Sequence, residues 1–526
     1  MENKKMKIIS IASIIALALT LVTATYAFFV AQTGEGAQTD IKINANTVDT
    51  FTFEAGSALN LSLNQENFAS GKGNQTGTTF AKAMLTANNK TNTATEHYYL
   101  YLNISNNTFT YSIDNNTPEI LLSIKDGSNN EITSVSGLTY KTVTDGKGAS
   151  IKGFDITTKS GLITILNNRE ITTTSTKTEQ WNVTVTFVNY NANQAGNAGK
   201  RFSAKLMIQQ EKILTVLSDV CTSGNNLATC ITTLSNKSEP SIVNIYHHDS
   251  SLANGARDNS YRYAGANPNN FVCFGTTESP CPTDNLYRII GVINDKVKLI
   301  KYDYMTTDEL GTDGDYSQTY KEWGMDSTYK GTYGDGERIG VYFWNKDAST
   351  NTWSTSLLNK TNLNTNFINY LGTTWANKIA TVTWKVGGNT WANIGAKTSS
   401  VAYTNEITNP VTTNTTDNAT TYSAKIGLMY VSDYGFAASP DAWTLTMSSY
   451  NNTTATNNNW MYMGLYEWTI SRDADRSDRA FDVDFGGNVS NFNVHGNYGV
   501  RASFNLESSV SYVSGSGSMS DPIVIN

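Results

Sequence analysis

The sequence predicts a mainly β, multidomain protein, an N-terminal antiparallel β-sandwich followed by a larger C-terminal α+β domain. Three observations carry this. Charged residues make up only 16% of the 526 positions, against roughly a quarter in ordinary soluble chains, and Asn, Thr, Ser, Gly and Tyr are plentiful instead. In the first 210 positions apolar residues recur at every second place between Asn, Gly and Asp breaks, the period of a half-buried strand. Nine of the ten tryptophans fall between Trp323 and Trp468, in a second region of different texture. A chain of this length can form two or three domains, each burying its own core.

The charge balance narrows the partners. A net charge of -7, with no basic run beyond the N-terminus, leaves nothing to neutralise a phosphate backbone, so nucleic acid is not an expected partner. Residues 1–27 carry the address: Lys4, Lys5 and Lys7 precede the apolar stretch IISIASIIALALTLV, and the small residues Ala24 and Ala27 follow. That is the order of a secretory signal. The apolar stretch from Ile8 to Ala31 is also long enough to span a bilayer if uncut, so the segment is a signal peptide or a membrane anchor.

Residues 28–210 read as the β-sandwich. TFTFEAG, HYYLYLNIS, EILLSIKDGSNNEITSV and QWNVTVTFVNYN alternate apolar and polar positions. The stretch has no cysteine, one histidine and little clustered charge, so its expected task is that of a stalk, spacer or polymerising unit. The junction TYAFF after the apolar stretch, with a sandwich ending in WNVTVTF, resembles the TasA and camelysin group of Gram-positive surface proteins. The resemblance implies a surface location and, as in some members, assembly into extracellular fibres.

Residues 211–241 change period. EKILTVLSDVCTSGNNLATCITTLS spaces its apolar residues by three and four on both sides of a Ser-Gly-Asn-Asn break, which predicts two short helices and a connector. Cys221 and Cys230 lie close together, as do Cys273 and Cys281. Four cysteines allow three pairings, of which the local one is preferred in an oxidising compartment. The spacings do not match a zinc site.

Residues 242–526 read as one domain. Cys273 and Cys281 flank the first turn of a meander, IND-K makes a second, and AFDVDFGGNVSNFNVHGNYGVRASFNL alternates again near the end. No LPxTG-type sorting signal is present and MSDPIVIN reads as a strand. MGLYEWT, an arginine-rich segment and a final GVR resemble the pattern of the formylglycine-generating-enzyme type of C-type lectin fold, also used as a binding platform by bacterial surface variable proteins. Gly464, Glu467, Trp468, Thr469, Gly499 and Arg501 match it. The resemblance implies a C-type lectin-like domain over 242–526. Its enzymes need reactive cysteines near the C-terminal core, and no cysteine follows Cys281. The scaffold carries over; the activity does not.

Glu467, Trp468 and Arg501 are therefore expected to be structural, the carboxylate held by backbone N–H groups and Arg501. Ligand contacts are expected from Trp460 and Tyr462 in NNNWMYM and from the run Arg472, Asp473, Asp475, Arg476, Asp478 and Arg479. That run reads as a solvated loop, a polar rim or a calcium site, although its spacing is not that of an EF-hand. Trp323, Trp344 and Trp353 share the polar surroundings of Trp460, whereas Trp375, Trp384, Trp391 and Trp443 read as core. His247 and His248 are adjacent and point apart in a strand, and His495 lacks a nucleophile elbow, so neither predicts metal or triad chemistry. The expectation is an exported cell-surface protein, not an enzyme, without a cofactor, that presents its lectin-like domain to an extracellular glycan or protein. A structural subunit of a fibre, self-assembling through the sandwich, is the alternative, and a secreted hydrolase the second.

Overall fold

The computed structural model describes residues 49–526 apart from 64–70, 89–91, 324–328, 335, 411–419 and 452–455. The expected signal or anchor at 1–27 lies outside them, and among the described residues no helix is long and apolar enough to cross a membrane. The chain is mainly β, built from several antiparallel sheets, and divides between Ile213 and Leu214 into two units.

In the first unit the alternation of apolar residues becomes the inside and outside of two sheets. One has six strands in the order β1 (Thr50–Ala55), β3 (Gln75–Thr86), β9 (Thr176–Phe187), β5 (Ile120–Asp126), β7 (Ser150–Asp155) and β6 (Tyr140–Thr144). The other has four: β2 (Leu59–Ser62), β10 (Arg201–Gln209), β4 (Ala94–Asn107) and β8 (Gly161–Thr173). Strand β10 shows the cause plainly: Phe202, Ala204, Leu206 and Ile208 are buried, while Ser203, Lys205 and Met207 between them are not. Residues of both sheets, among them Leu102 and Leu206 from one and Leu122 and Val183 from the other, share one core. Each such side chain contributes about 1.5–3 kcal/mol by leaving water. A polar chain adds direction: Trp181 donates to the Tyr98 hydroxyl, which donates to Glu179, and Glu179 also takes two bonds from Arg169.

The second unit is organised by a nine-stranded sheet. Its main path runs Ile426–Gly427, Ser503–Asn505, Lys296–Lys301, Leu286–Ile293, Phe271–Cys273, Ile523–Ile525 and Tyr512–Ser514. Leu286–Ile293 and Lys296–Lys301 form its central hairpin, closed by Asn294 and Asp295 with φ of 50° and 60°. Asn and Asp tolerate that left-handed backbone better than other side chains, which is why IND-K turns here. Leu286 to Val292 are all buried, as a strand covered on both faces requires. A separate three-stranded sheet holds the end of the MGLYEWT motif and the charged run after it: Glu467–Arg472, Arg479–Val483 and Val489–Asn493.

The segment 211–241 departs from the expected pair of connector helices. Its first half makes only a three-residue 3-10 turn, Leu217–Asp219, and its second an 11-residue helix, Leu227–Lys237. Asn226 caps the helix by accepting from the Thr229 N–H at 3.0 Å. Leu227, Ile231 and Leu234 enter the core of the second unit, so the apolar stripe that marked the helix is covered by that unit's own strands. Disulfides join Cys221 to Cys230 and Cys273 to Cys281. Inside the first of these loops, the Gly224 and Leu227 N–H groups donate to the carbonyls of Tyr512 and Val510, and Tyr512 N–H donates to Asn225. The beginning of the second unit is thereby clasped to its last strands.

Candidate functional site

Glu467 is buried, and Arg501 grips it with two bonds, Nε to Oε1 and Nη2 to Oε2, each 2.8 Å. The same guanidinium donates to the Met461 carbonyl at 2.6 Å, and the Trp468 indole N–H donates to Tyr342. These three side chains tie the three-stranded sheet to the rest of the unit and reach no open surface.

The charged run divides. Arg472 and Asp473 are 1% exposed and so are no rim for a ligand. The reason is a neighbour distant in sequence: the buried Asn351 amide lies 2.7–2.8 Å from the carbonyls of Asp473, Arg476 and Arg479 and holds the loop inward. Asp473 accepts from the Asp475 N–H and from Asn491. Asp475 and Arg476 are exposed, Asp478 and Arg479 half-buried, and Arg476 pairs with Asp478 at 3.3 Å. Among the described residues no group of three or more His, Cys, Asp or Glu side chains gathers as a metal site would.

Trp460 and Tyr462 are likewise buried, at 4% and 8% exposure. Polar neighbours in sequence misplace them, because their partners are remote: the Trp460 indole donates to the Tyr263 carbonyl, 197 residues away, and the Tyr462 hydroxyl donates to Phe485. Trp344 and Trp353 are buried too, packed on each other with ring centroids 5.0 Å apart. The Trp323 side chain lies outside the described residues.

A cavity of about 420 Å³ opens elsewhere in this unit, beside the central hairpin. Strand Lys296–Lys301 sends Lys296 and Lys298 to it, strand Val382–Lys385 sends Trp384 and Lys385, and Tyr430 and Asp433 come from the first turn of helix Val431–Ala437. Asp433 is the hub. It accepts from Lys298 Nζ at 2.5 Å, Arg262 Nη1 at 3.1 Å and the Tyr430 N–H at 3.0 Å. Burial alone would raise its carboxyl, but the charges of Lys298 and Arg262 hold it below its ordinary value. Lys298 Nζ also lies 4.4 Å from the Tyr430 ring centre and 5.2 Å from that of Trp384. Four cations thus line the cavity with one carboxylate, and Lys296 and Lys385 make no ion pair among the described residues.

No family model and no curated protein matches the chain.

The lining offers positive charge, aromatic faces and amides, a set of groups that can hold a ligand. None of the residues expected to touch ligand is among it. Two signals in the sequence pointed there: KVKLIK places Lys296 and Lys298 at alternate positions of a strand with apolar residues between its charges, and YRY puts Arg262 between aromatic rings. A charge repeated inside an apolar strand needs a buried partner, and Asp433 is that partner.

Proposed function

We propose that the chain is an exported bacterial cell-surface protein that is not an enzyme. Its first unit is a β-sandwich spacer, and its second a C-type lectin-like domain that binds an acidic extracellular glycan. The cationic cavity at Lys298 and Asp433 is the observation that carries this reading. Its volume falls within the range of about 300–1,000 Å³ usual for small-ligand sites. Aromatic walls suit a sugar ring, and the surplus of lysine suits its carboxylate or sulfate. The two disulfides fit a chain that folds outside the reducing cytosol. The motif ending in GVR, with Arg501 on Glu467, favours the lectin-like reading of the second unit.

The test is an array of acidic and neutral glycans of matched backbone, probed with the full chain and with Lys385→Glu. Binding to acidic members that weakens at least tenfold in the variant supports the reading. Binding to no extracellular polymer, together with filaments in the purified sample, would replace it with the fibre-subunit alternative.

A further inference from the structure

A buried cation normally faces a carboxylate, because a lone charge taken out of water is costly. Of the five buried Lys and Arg side chains described in the second unit besides Arg288, four obey this, Arg262 with Asp258 and Asp433, Lys298 with Asp433, Lys301 with Glu309, and Arg501 with Glu467, and the fifth, Arg472, lies next to the charge of Asp473. Arg288 does not. It sits in LYRIIGVI on the central strand, 6% exposed, and makes no ion pair among the described residues. Its Nε donates to Asn270 at 2.7 Å, and Nη1 and Nη2 donate to the carbonyls of Trp460 and Pro268 at 3.3 and 3.2 Å. A guanidinium carries five N–H groups, so one on each terminal nitrogen is left over. The group lies over two rings, 4.3 Å from the centre of Phe271 and 4.6 Å from that of Trp460.

This guanidinium faces a recess of about 190 Å³ that shares no lining residue with the larger cavity. Lys330 stands on its wall, its Nζ 4.3 Å from the centre of the Tyr462 ring, and Asn267 and Asn459 bring amides. No acidic side chain lines it among the described residues. Two cations therefore converge on a small polar opening without an anion.

We propose that this recess is a seat for the carboxylate of an acidic ligand, with the spare N–H groups of Arg288 as the fork and Lys330 as the second cation. A guanidinium edge matches a carboxylate with two parallel bonds, and the flanking amides and rings suit the remainder of a sugar acid. Burial pushes the Arg288 guanidinium down to about 9, the same desolvation that a bound carboxylate offsets. Trp460 and Tyr462 thus regain a role in binding as supports of the cation rather than as exposed platforms.

The experiment titrates the full chain with glucuronate, glucose and sulfate at fixed ionic strength, following tryptophan fluorescence and the midpoint of thermal unfolding. A saturable response to glucuronate, absent with glucose and weakened at least tenfold in Lys330→Glu, supports the seat. Lys330 is exposed, so that variant folds; Arg288→Lys, which keeps the charge and loses the fork, is expected to weaken glucuronate further than it shifts the unfolding midpoint. No saturable response, or one equal in Lys330→Glu, overturns the proposal. A response lost in Lys385→Glu and kept in Lys330→Glu places the anion in the larger cavity and overturns it as well. Sulfate binding more tightly than glucuronate overturns the carboxylate assignment.

Discussion

Asp482 offers a sharp test of how the second unit is held together. It lies on the middle strand of the three-stranded sheet opposite Trp468 and Ser490, is 1% exposed, and neither carboxylate oxygen has a hydrogen-bond partner among the described residues. Burial, aided by the nearby charge of Asp484, pushes its carboxyl well above the ordinary range. A carboxyl that titrates higher in the folded chain than in the unfolded one holds its proton more tightly when folded. Its contribution is fully present below the unfolded value of about 3.9 and is lost as pH rises through the folded value, at up to about 1.4 kcal/mol per pH unit. Asp482→Asn keeps the shape and cannot ionise. We expect the variant and the parent to match within about 0.5 kcal/mol at pH 4, and the variant to gain on the parent by up to about 1.4 kcal/mol for each pH unit above that, until the pH passes the folded value of Asp482. Urea unfolding followed by tryptophan fluorescence reads this cleanly, since nine of the ten tryptophans belong to the second unit. A variant less stable than the parent at pH 8, with an unchanged pH slope, would show that Asp482 is ionised and partnered, and would refute the reasoning.

Two further outcomes follow from buried contacts. Glu467→Gln leaves Arg501 without its counter-charge and should cost about 3–5 kcal/mol in the unfolding of the second unit alone, whereas loss from the first unit would contradict the assignment. Replacing Cys273 and Cys281 together by Ala opens a loop with a sequence separation of 8 and should lower stability by about 2.5 kcal/mol from chain entropy; an unchanged urea midpoint would count against that.

Legibility in the sequence followed the range of the forces involved. The strands of the first unit could be read because alternation is local: HYYLYLNIS lies within β4 and WNVTVTF within β9. The disulfides were accessible for the same reason, as were the Asn294–Asp295 turn and the contact of Arg501 with Glu467, which rest on short motifs. Sheet order was not, because β3 pairs with β9 across some ninety intervening residues that carry no register signal. Trp460 looked exposed among asparagines because its environment is set by Tyr263 and Arg288, not by its neighbours. The same holds for Arg472 and Asp473, where the polarity of RDADRSDR says nothing of Asn351 pulling the loop inward. Arg288 itself was visible as the one charge in LYRIIGVI, and a charge that breaks a buried run is a sign worth pursuing in any strand of this kind.

The clasp at the start of the second unit has a mechanical consequence. Gly224, Asn225 and Leu227, which bond to the last strands, all lie inside the loop closed by Cys221 and Cys230. Tension travelling along the chain from Leu214 crosses from Cys221 to Cys230 through the sulfur bridge and enters helix Leu227–Lys237 one turn in, so the clasped residues carry no load. With the bridge reduced, the same pull would run through those backbone bonds and peel them one at a time. Under a pull along the chain the bridge acts as a strain relief, so that the second unit can be loaded without opening at its clasp.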